Sequence, residues 1–369
     1  MTNVLNPWPA DDLGPSAVHI LRLPYHAEGY VVVDNLALGP AIGGVRLAPT
    51  VTPAEVARLA RAMTIKNAVA GLAHGGGKAG IRVPRPLAGG EREPVVRAFA
   101  QAIRSMTEYI PGPDMGTDET AMAWIRDEIG RAVGLPAVLG GIPLDQIGAT
   151  GYGLAVSAEA LDGAGRIALD GARVAVQGFG AVGRHAALQL SRRGAKVVAV
   201  SDITGAVQDP DGLDVEALAA FKSIRPLGEF GGAKPMERDA LIGADCDILV
   251  PAAQADVIHE GNADWVRARV VLQGANLPVT AGAEAIFAQR GVLSIPDVVA
   301  NAGGVICASV EYRGGTREQA FAAIAEKIRA NTVELLARIG ERVPLLPRQA
   351  AFAMARERLG AAEAYRRHY

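Results

Sequence analysis

Two lysines and their surroundings offer the first chemistry in this sequence. Lys66 and Lys78 flank a run of mostly apolar residues and glycine, and lysine is rarely buried without a partner. A lysine exchanges protons near neutral pH only if its pKa falls from about 10.4 towards ~7–8, and burial or a second ammonium group lowers it in that direction. The segment therefore predicts an acid–base lysine, and a flexible glycine turn with two solvated lysines is the alternative.

Asp114 is the second candidate for proton transfer. It lies in PGPDMGTD, where prolines predict a rigid loop just before a helix that begins at Thr117 or Asp118. A carboxylate placed near a lysine of low pKa makes an acid–base pair. A purely structural aspartate in a turn is the alternative for this position.

A glycine-rich hexapeptide of the form G-x-G-x-x-G follows a predicted strand over 173–177 and opens a helix predicted over 184–193. It consists of Gly178, Phe179, Gly180, Ala181, Val182 and Gly183. In a dinucleotide-binding turn these glycines permit the turn itself, the approach of a pyrophosphate and close packing of helix on strand. The helix N-terminus adds free N–H groups and the positive end of its dipole. This context predicts a dinucleotide site.

Asp202 ends the next predicted strand, about where an acid accepts hydrogen bonds from the adenosine ribose hydroxyls. A carboxylate at this position favours NAD, because it repels a 2′-phosphate. NADP stays open, since basic residues from elsewhere could receive that phosphate. A structural role for Asp202 in the turn before Thr204 and Gly205 also stays open.

The elements that must position Lys66, Lys78 and Asp114 mix strands and helices. Residues 17–51 contain short β-like runs separated by glycine and proline. Thr52 and Glu55 then form a helix-capping signal ahead of an amphipathic stretch. Further helices are predicted over 94–106 and 118–129.

A length of 369 residues favours two domains, and the glycine-rich composition places the hinge near 134–151. Beyond one more helix, apolar strands alternate with helices, which predicts an α/β doubly wound parallel sheet of the Rossmann type. The strand candidates are RVAVQ, KVVAVSD, CDILVPAA, ARVVLQGA and GVLSIPD. We expect one domain over 1–135, completed by C-terminal helices of 320–369, and a dinucleotide-binding domain over 136–319.

Composition argues against several classes of protein. The net charge is −2, without the basic excess typical of nucleic-acid binding. No run approaches the ~18 apolar residues of a membrane span, and MTNVLNPWPADDLGP lacks the features of a secretory signal. The only cysteines, Cys246 and Cys307, predict neither a disulfide framework nor a metal site. We expect a cytoplasmic protein that binds neither nucleic acid nor membrane.

Several motifs, taken in order, resemble those of the glutamate/leucine/phenylalanine/valine dehydrogenase family. They are GPAIGGVRLAP, MTIKNAVAGLAHGGGKAGI, PGPDMGTDETAMAW, ATGYG, VQGFGAVG, VVLQGAN and PDVVANAGGV. The similarity runs from about Leu38 to Glu311. It implies an N-terminal α/β domain for substrate binding and oligomerisation, a Rossmann-type cofactor domain, a homo-oligomer, and NAD(P)-dependent deamination of an L-amino acid to its 2-oxo acid and ammonia.

The resemblance also implies roles for the proton-transfer candidates. Lys66 looks like the lysine that pairs with the substrate α-carboxylate. Lys78 looks like the catalytic lysine that polarises the reacting carbonyl and activates water, and Asp114 matches the aspartate that carries protons to and from the amino nitrogen. Domain closure around the substrate would then exclude bulk water.

Further positions acquire roles by the same resemblance. Asn276 resembles a residue that holds the nicotinamide ribose, and Asn301 one that holds the substrate. The remaining substrate-binding candidates are Ile42, Gly43, Gly44, Thr150, Val305 and Ala308.

Two of these positions bear on which amino acid is used. Glutamate-specific members resemble the pattern YKGG, and Ile42 stands where that lysine neutralises the γ-carboxylate. Those members also carry a serine where this chain has Ala308. A buried, unpaired γ-carboxylate would cost on the order of several kcal/mol, so we expect an apolar or aromatic substrate. Glutamate with another partner, such as Arg46, is the alternative, since other motifs look more like the glutamate branch.

Two functional hypotheses other than amino-acid oxidation stay open. One is a catalytically inactive cofactor-binding regulator, although every expected catalytic residue type is present. The other is a 2-hydroxy-acid dehydrogenase, which predicts a histidine–carboxylate pair near the cofactor domain. Neither His185 nor His259 has an obvious partner in the sequence.

Overall fold

The computed structural model describes residues 11–87, 90–340 and 346–365, and the chain divides into two compact units. The first unit comprises Met1–Pro143, Ala308–Gln319 and Met354–Tyr369, and the second comprises Leu144–Cys307 and Ala320–Ala353. The expected domain limits differ from this division over residues 136–143, 308–319 and 320–353. Helical periodicity shows which face of a helix is buried, but not which core buries it.

In its described residues up to Pro143 the first unit contains five strands and three α-helices, and parts of the last helices of the chain also belong to it. The strands are β1 (Ala17–Arg22), β2 (Glu28–Asn35), β3 (Ala41–Ala48), β4 (Gly75–Arg82) and β5 (Tyr109–Pro113). The helices are α1 (Pro53–Val69), α2 (Arg92–Ala102) and α3 (Glu119–Ile129). The sheet order is β1-β2-β4-β3-β5, and β3 is parallel to both of its neighbours. β3 is therefore the strand across which β4 and β5 face each other.

Helix α1 begins where the sequence predicts it. Thr52 Oγ1 accepts a hydrogen bond from the backbone N–H of Glu55 at 3.2 Å, and proline occupies the first turn. The helix runs to Val69, beyond the predicted amphipathic stretch, and its residues from Thr64 onward are all buried. A helical segment buried on every side shows no amphipathic period, which explains why the sequence pattern faded early. Lys66 consequently lies in the last turn of α1.

The glycine segment before Lys78 is a buried strand. β4 pairs with β2 on one side and with β3 on the other, so its backbone is held throughout. A Cβ at Gly76 would lie 2.1 Å from the backbone nitrogen of Thr64, so glycine allows α1 to pack directly on this strand. The alternative of a flexible turn with solvated lysines is wrong.

The proline segment before Asp114 is also a strand, where we expected a loop. β5 is an edge strand paired only with β3. Proline lacks an N–H donor and is tolerated at a sheet edge. Asp114 immediately follows the end of β5, and Asp118 caps α3 by accepting a hydrogen bond from the backbone N–H of Ala121 at 2.9 Å.

The second unit holds a larger sheet. Helix α4 (Ala149–Gly163) precedes strands β6 (Arg173–Gln177), β7 (Lys196–Asp202), β8 (Gly205–Gln208), β9 (Lys234–Met236), β10 (Ile248–Pro251), β11 (Val270–Leu272) and β12 (Leu293–Ile295). The connecting helices are α5 (Ala181–Ser191), α6 (Val215–Lys222), α7 (Ala281–Arg290) and α8 (Asp297–Ala300). The last helices of the chain are α9 (Gly303–Tyr312), α10 (Arg317–Ile339) and α11 (Pro347–Glu363).

The sheet order in the second unit is β12-β11-β10-β6-β7-β8-β9. All pairings from β12 to β7 are parallel, which confirms the predicted doubly wound α/β sheet. Strands β8 and β9 extend one edge in antiparallel fashion and were not predicted. At four and three residues they are too short to show an alternating pattern. Within the described residues, no helix is long and apolar enough to span a bilayer.

Candidate functional site

Lys78 and Asp114 meet in the first unit across strand β3. Lys78 Nζ lies 2.9 Å from Asp114 Oδ2, and the side chains are only 9% and 18% exposed. Gly44 on β3 lies between them, because a Cβ there would be 2.7 Å from the Asp114 Cβ and 3.2 Å from Lys78 Nζ. The sheet order therefore brings together two candidates that are far apart in sequence, and glycine on the intervening strand leaves room for their contact.

Two further charged residues join this pair, and sequence reasoning missed their place in it. Arg46 Nε donates to Asp114 Oδ2 at 3.0 Å, and Arg46 Nη1 donates to Glu55 Oε1 at 2.5 Å. The available signal was the position of Arg46 two residues after Gly44, which puts both on one face of β3. The sequence pattern indicates only a helix-capping role for Glu55. Glu55, Arg46, Asp114 and Lys78 form what we call the lysine cluster.

The environment shifts the proton affinity of both central groups. Burial lowers the pKa of Lys78 below its ordinary value, and the adjacent Asp114 carboxylate only partly opposes that shift. Burial alone would raise the pKa of Asp114, but the charges and hydrogen bonds of Lys78 and Arg46 hold that pKa below its usual value. Lys78 thus gives up a proton more readily than a solvated lysine while Asp114 stays ionised.

The backbone around the lysine cluster is held by hydroxyl groups. Thr117 Oγ1 accepts a hydrogen bond from the backbone N–H of Asp114 at 3.0 Å and donates to the carbonyl of Val45 at 2.7 Å. The buried Tyr109 hydroxyl donates to the Gly43 carbonyl at 2.8 Å. Strands β3 and β5 are therefore locked together beside the reactive groups.

Lys66 is 8% exposed in the last turn of α1. Two residues before it, Thr64 Oγ1 donates to the buried Asp34 at 2.6 Å, and Arg61 Nε, five residues before it, donates to the same carboxylate at 2.8 Å. On the other side of Lys66, Asn67 Nδ2 donates to the Gly75 carbonyl at 2.7 Å. These bonds tie the helix to the ends of β2 and β4 and fix the position of the lysine backbone.

Ile42 and Ala308, the candidates for contacting the substrate side chain, belong to one apolar cluster in the first unit. Ile42, Ile110, Val133 and Ala308 contact one another, and each is at least nine-tenths buried. Ile42 and Gly44 lie on one face of β3, since side chains alternate along a strand. The apolar cluster is therefore next to the lysine cluster on the same sheet face.

The glycine motif lies between β6 and α5 in the second unit. Gly178 has φ +96°, and a Cβ at Gly183 would lie 1.8 Å from the Gly178 carbonyl oxygen. Apart from Gly180 and its two chain neighbours, no atom of the described residues lies within 4 Å of a Cβ built on Gly180, which is the N-cap of α5. The turn, the close packing and the open N-terminus all fit a pyrophosphate. Phe179 is buried beside it, Val182 is half-buried and Ala181 is exposed.

Asp202 ends β7 beside this turn, where it is bound by two neighbours. Asp202 Oδ1 accepts hydrogen bonds from Thr204 N and Thr204 Oγ1, both at 2.6 Å. Asp202 Oδ2 is paired with the ammonium of Lys222, the last residue of α6. Burial would raise the pKa of Asp202, but the bonds from Lys222 and Thr204 hold that pKa below its usual value. Sequence reasoning missed Lys222, because nothing in its local pattern distinguishes it.

The asparagine candidates meet at the loop after β11. Asn301 Nδ2 donates to the carbonyls of Gly274 and Ala275 at 3.2 and 3.0 Å and to Asn276 Oδ1 at 3.3 Å. Asn301 Oδ1 is buried and has no hydrogen-bond partner among the described residues. This acceptor and the open glycine turn are the features of the second unit that fit a bound dinucleotide.

The start of α9 packs on the start of α4. A Cβ at Gly304 would lie 3.1 Å from Thr150 Oγ1, and Val305 beside it is half-buried. The histidine–carboxylate pair of a 2-hydroxy-acid dehydrogenase is not formed by His185, whose Nε2 is buried without a hydrogen-bond partner in the described part of the chain. Burial lowers the pKa of His185, and Asp145 opposes that shift only through its charge.

Comparison with known proteins gives matches over both units. The family model described as Glutamate/Leucine/Phenylalanine/Valine dehydrogenase matches residues 140–367, and the model described as Glu/Leu/Phe/Val dehydrogenase, dimerisation domain matches residues 24–131. A glutamate dehydrogenase of Aeropyrum pernix is 41% identical over 324 residues, which are 82% of this chain and 77% of that protein. An NADP-specific glutamate dehydrogenase of Saccharolobus shibatae is 41% identical over 77% of this chain and 70% of its own.

A solved structure is similar over almost the whole chain. It is the hetero-hexameric glutamate dehydrogenase of Thermus thermophilus in a leucine-bound form, with 33% identity and a TM-score of 0.86. The similarity covers 96% of this chain and 91% of the other.

Proposed function

The chain belongs to the glutamate/leucine/phenylalanine/valine dehydrogenase family and is an NAD(P)-dependent amino-acid dehydrogenase, and we propose that its substrate is an L-amino acid with an apolar side chain. The observation that carries the choice of substrate is the apolar cluster of Ile42, Ile110, Val133 and Ala308 beside the lysine cluster. It contains no charged or hydrogen-bonding side chain.

Residues of the lysine cluster transfer the protons in this reaction. When bound, the nicotinamide supplies the hydride acceptor for the Cα–H bond of the amino acid. Lys66 pairs with the α-carboxylate and holds the substrate. Asp114, ionised at rest, accepts a proton from the substrate ammonium before the Cα–H bond breaks. Burial lowers the pKa of Lys78, which takes a proton from the water that adds to the iminium carbon. Asp114 then returns its proton to the amino nitrogen as ammonia leaves. The products are the 2-oxo acid and ammonia.

Binding a substrate γ-carboxylate against the apolar cluster would be unfavourable. An ionised group left unpaired in such surroundings costs on the order of several kcal/mol. Ile42 and Ala308 instead offer methyl and methylene groups to an apolar side chain, and each buried CH₂ contributes roughly 0.8 kcal/mol.

Glutamate is the second candidate, and the names of the curated relatives favour it over an apolar substrate. It requires a cation for the γ-carboxylate. Arg46, the alternative that the sequence suggested, already pairs with Asp114 and Glu55. A glutamate substrate would therefore need a partner outside the apolar cluster and other than Arg46.

Initial rates with a panel of amino acids separate the two candidates. We expect kcat/KM for leucine, valine or phenylalanine to exceed that for glutamate. A higher kcat/KM for glutamate than for all three would reject the apolar substrate. Ala308→Ser adds a hydroxyl with little change in volume, and Ile42→Lys adds the missing cation. Both should raise the ratio of glutamate to leucine activity, with the larger gain for Ile42→Lys.

We propose that the protein binds both NAD and NADP. The Asp202 carboxylate alone would repel a 2′-phosphate, but its pairing with Lys222 neutralises the charge and places an ammonium group beside it. Calorimetry with 5′-AMP and 2′,5′-ADP tests this without turnover. Lys222→Gln should weaken 2′,5′-ADP about tenfold, the equivalent of 1.4 kcal/mol, and leave 5′-AMP unchanged. Lys196→Gln, at the opposite end of β7, is the matched control. Equal losses for both nucleotides would contradict the proposal.

Self-association is proposed to involve the first unit. A family model described as a dimerisation domain matches residues 24–131, and Ile20 on the edge strand β1 is 65% exposed. An unpaired strand edge with an exposed apolar residue is a common site of chain association. Light scattering of the purified protein should give a multiple of the 38.2 kDa chain mass, and a monomeric mass would reject this point.

A further inference from the structure

The lysine cluster contains a chain of alternating charges that ends on α1. Glu55 in the first turn of α1 holds Arg46, Arg46 holds Asp114, and Asp114 pairs with Lys78. The Arg46 side chain is only 17% exposed, so both of its bonds act in a partly dehydrated environment where charge interactions are strong. Arginine suits this bridging role, since its planar guanidinium offers separate donors to two carboxylates.

We propose that Arg46, anchored by Glu55, is a positioning residue that orients Asp114 and tunes the pH at which Lys78 releases its proton. The inference rests on the proposed function only in taking Lys78 as the catalytic base. It deepens that function by adding two residues to the machinery of proton transfer, neither of which needs to touch the substrate.

The orientation of Asp114 follows from which oxygen is used. Lys78 Nζ and Arg46 Nε both bond to Oδ2, and within the described residues no donor bonds to Oδ1. With the backbone N–H of Asp114 bonded to Thr117 Oγ1, neither the backbone nor the carboxylate is free to rotate. Asp114 Oδ1 therefore remains available to accept a hydrogen bond from a bound molecule, such as one from the amino nitrogen of the substrate.

The tuning of Lys78 follows from the sign of each neighbouring charge. The charged groups that act on it are Arg46 from β3, Asp114 from the residue after β5, and Glu55 from α1. Tyr109 of β5 interacts with the charge of Asp114. Arg46 lowers the pKa of Lys78 and Glu55 raises it, in addition to the larger effects of burial and Asp114. Burial raises the pKa of Tyr109, so this phenol stays neutral. Arg46 and Glu55 therefore act on Lys78 with opposite signs.

Two variants should move the pH profile in opposite directions. Deamination needs neutral Lys78, so kcat rises with pH as Lys78 loses its proton. Arg46→Gln removes a positive neighbour and should shift this limb about 1 pH unit higher, whereas Glu55→Gln should shift it lower by a smaller amount. Arg46→Gln should also lower kcat about tenfold, since Asp114 loses one of its two side-chain anchors. A residue that only supports the fold would not produce shifts of opposite sign.

The controls separate charge from folding. Arg58→Gln removes the same charge from the exposed side of α1 and should leave the profile unchanged. Arg46→Lys keeps the positive charge but cannot bridge both carboxylates, so kcat should fall while the limb stays within a few tenths of a pH unit. Thermal melting of each variant shows whether it is folded at the assay temperature.

A second measurement does not depend on turnover. The rate at which acetic anhydride modifies Lys78, followed by peptide mass spectrometry across pH without substrate, reports the pKa of that lysine directly. Shifts in one direction for both variants, or no shift in either by this method, would overturn the inference. If instead Lys78→Ala kept full deamination activity, the proposed function would fail while the labelling result still decided the role of Arg46.

Discussion

Each of the two units holds a buried cluster of charged side chains, and the two clusters are built differently. In the lysine cluster of the first unit, two cations share one oxygen of Asp114. In the second unit Arg348 divides its nitrogens among three acceptors, with Nε on Glu284 at 2.8 Å, Nη1 on Asp297 at 2.8 Å and Nη2 on Gln273 at 2.7 Å. We call these four residues the arginine cluster.

The difference lies in the cation at the centre of each cluster. In the arginine cluster Gln273 Nε2 also donates to Glu284 at 2.9 Å and to Ser294 at 3.0 Å, and Asp297 Oδ2 accepts from the backbone N–H of Leu277 at 3.2 Å. In the lysine cluster both cations bond to Asp114 Oδ2, the described part of the chain gives Oδ1 no donor, and the central cation is one that can lose its proton. A network around an arginine that keeps its charge stabilises a fold, whereas a network around a lysine that can lose its proton is suited to chemistry.

The largest expected effect tests the lysine cluster. Lys78→Arg keeps the positive charge but removes the ability to lose a proton at assay pH, so kcat should fall about 10²–10⁴-fold. The melting temperature should stay near that of the native chain, because the Asp114 carboxylate keeps a cation. Steady-state rates at saturating substrate and a thermal melt measure the two quantities. Retention of more than half the native kcat would contradict the assigned role.

The converse change tests the arginine cluster. Arg348→Met leaves the carboxylates of Glu284 and Asp297 buried without their cation and should cost about 3–5 kcal/mol in the free energy of unfolding. Denaturant titration of Arg348→Met against the exposed control Arg58→Met measures this loss. Since the arginine cluster includes none of the proposed proton-transfer groups, kcat of the folded variant should fall far less than in Lys78→Arg. A dominant loss of kcat with native stability would break the comparison.

The pH dependence of the native enzyme sharpens the contrast. Because burial lowers the pKa of Lys78, the fraction of neutral lysine, and with it kcat for deamination, should rise with pH through a midpoint below the ordinary lysine value of about 10.4. Burial would lower the pKa of Arg348, but its carboxylate partners hold that pKa above the ordinary value, so this arginine contributes no limb in the working range. A kcat profile with its only limb at or above the ordinary lysine value would disagree with this expectation.

The smallest expected effect probes the edge of the arginine cluster. Ser294→Ala removes one acceptor of Gln273 Nε2, which still donates to Glu284, so the cost should be about 1 kcal/mol in the free energy of unfolding. Activity should not change. A loss as large as that of Arg348→Met would mean that the cluster has little redundancy.

Sequence reasoning recovered much of the fold because the signals were local. The capping of α1 by Thr52 and the apolar strands around Gly178 depend on neighbours within a few residues. It did not predict the strands before Lys78 and Asp114, where glycine left a turn open as an alternative and proline suggested a loop. There, contacts from α1 and the place of β5 at a sheet edge outweigh local preference.

By itself, the sequence determined the residues on which catalysis is proposed to depend and the type of cofactor turn, since motifs and short-range patterns are properties of the chain. Only the tertiary structure decided which charges meet. Arg46 and Asp114 are 68 residues apart, and their contact depends on the order β4-β3-β5, which no spacing in the sequence encodes. The partner of a buried charge is chosen by the sheet that brings it near, and the same holds for Arg348 and Glu284 in the second unit.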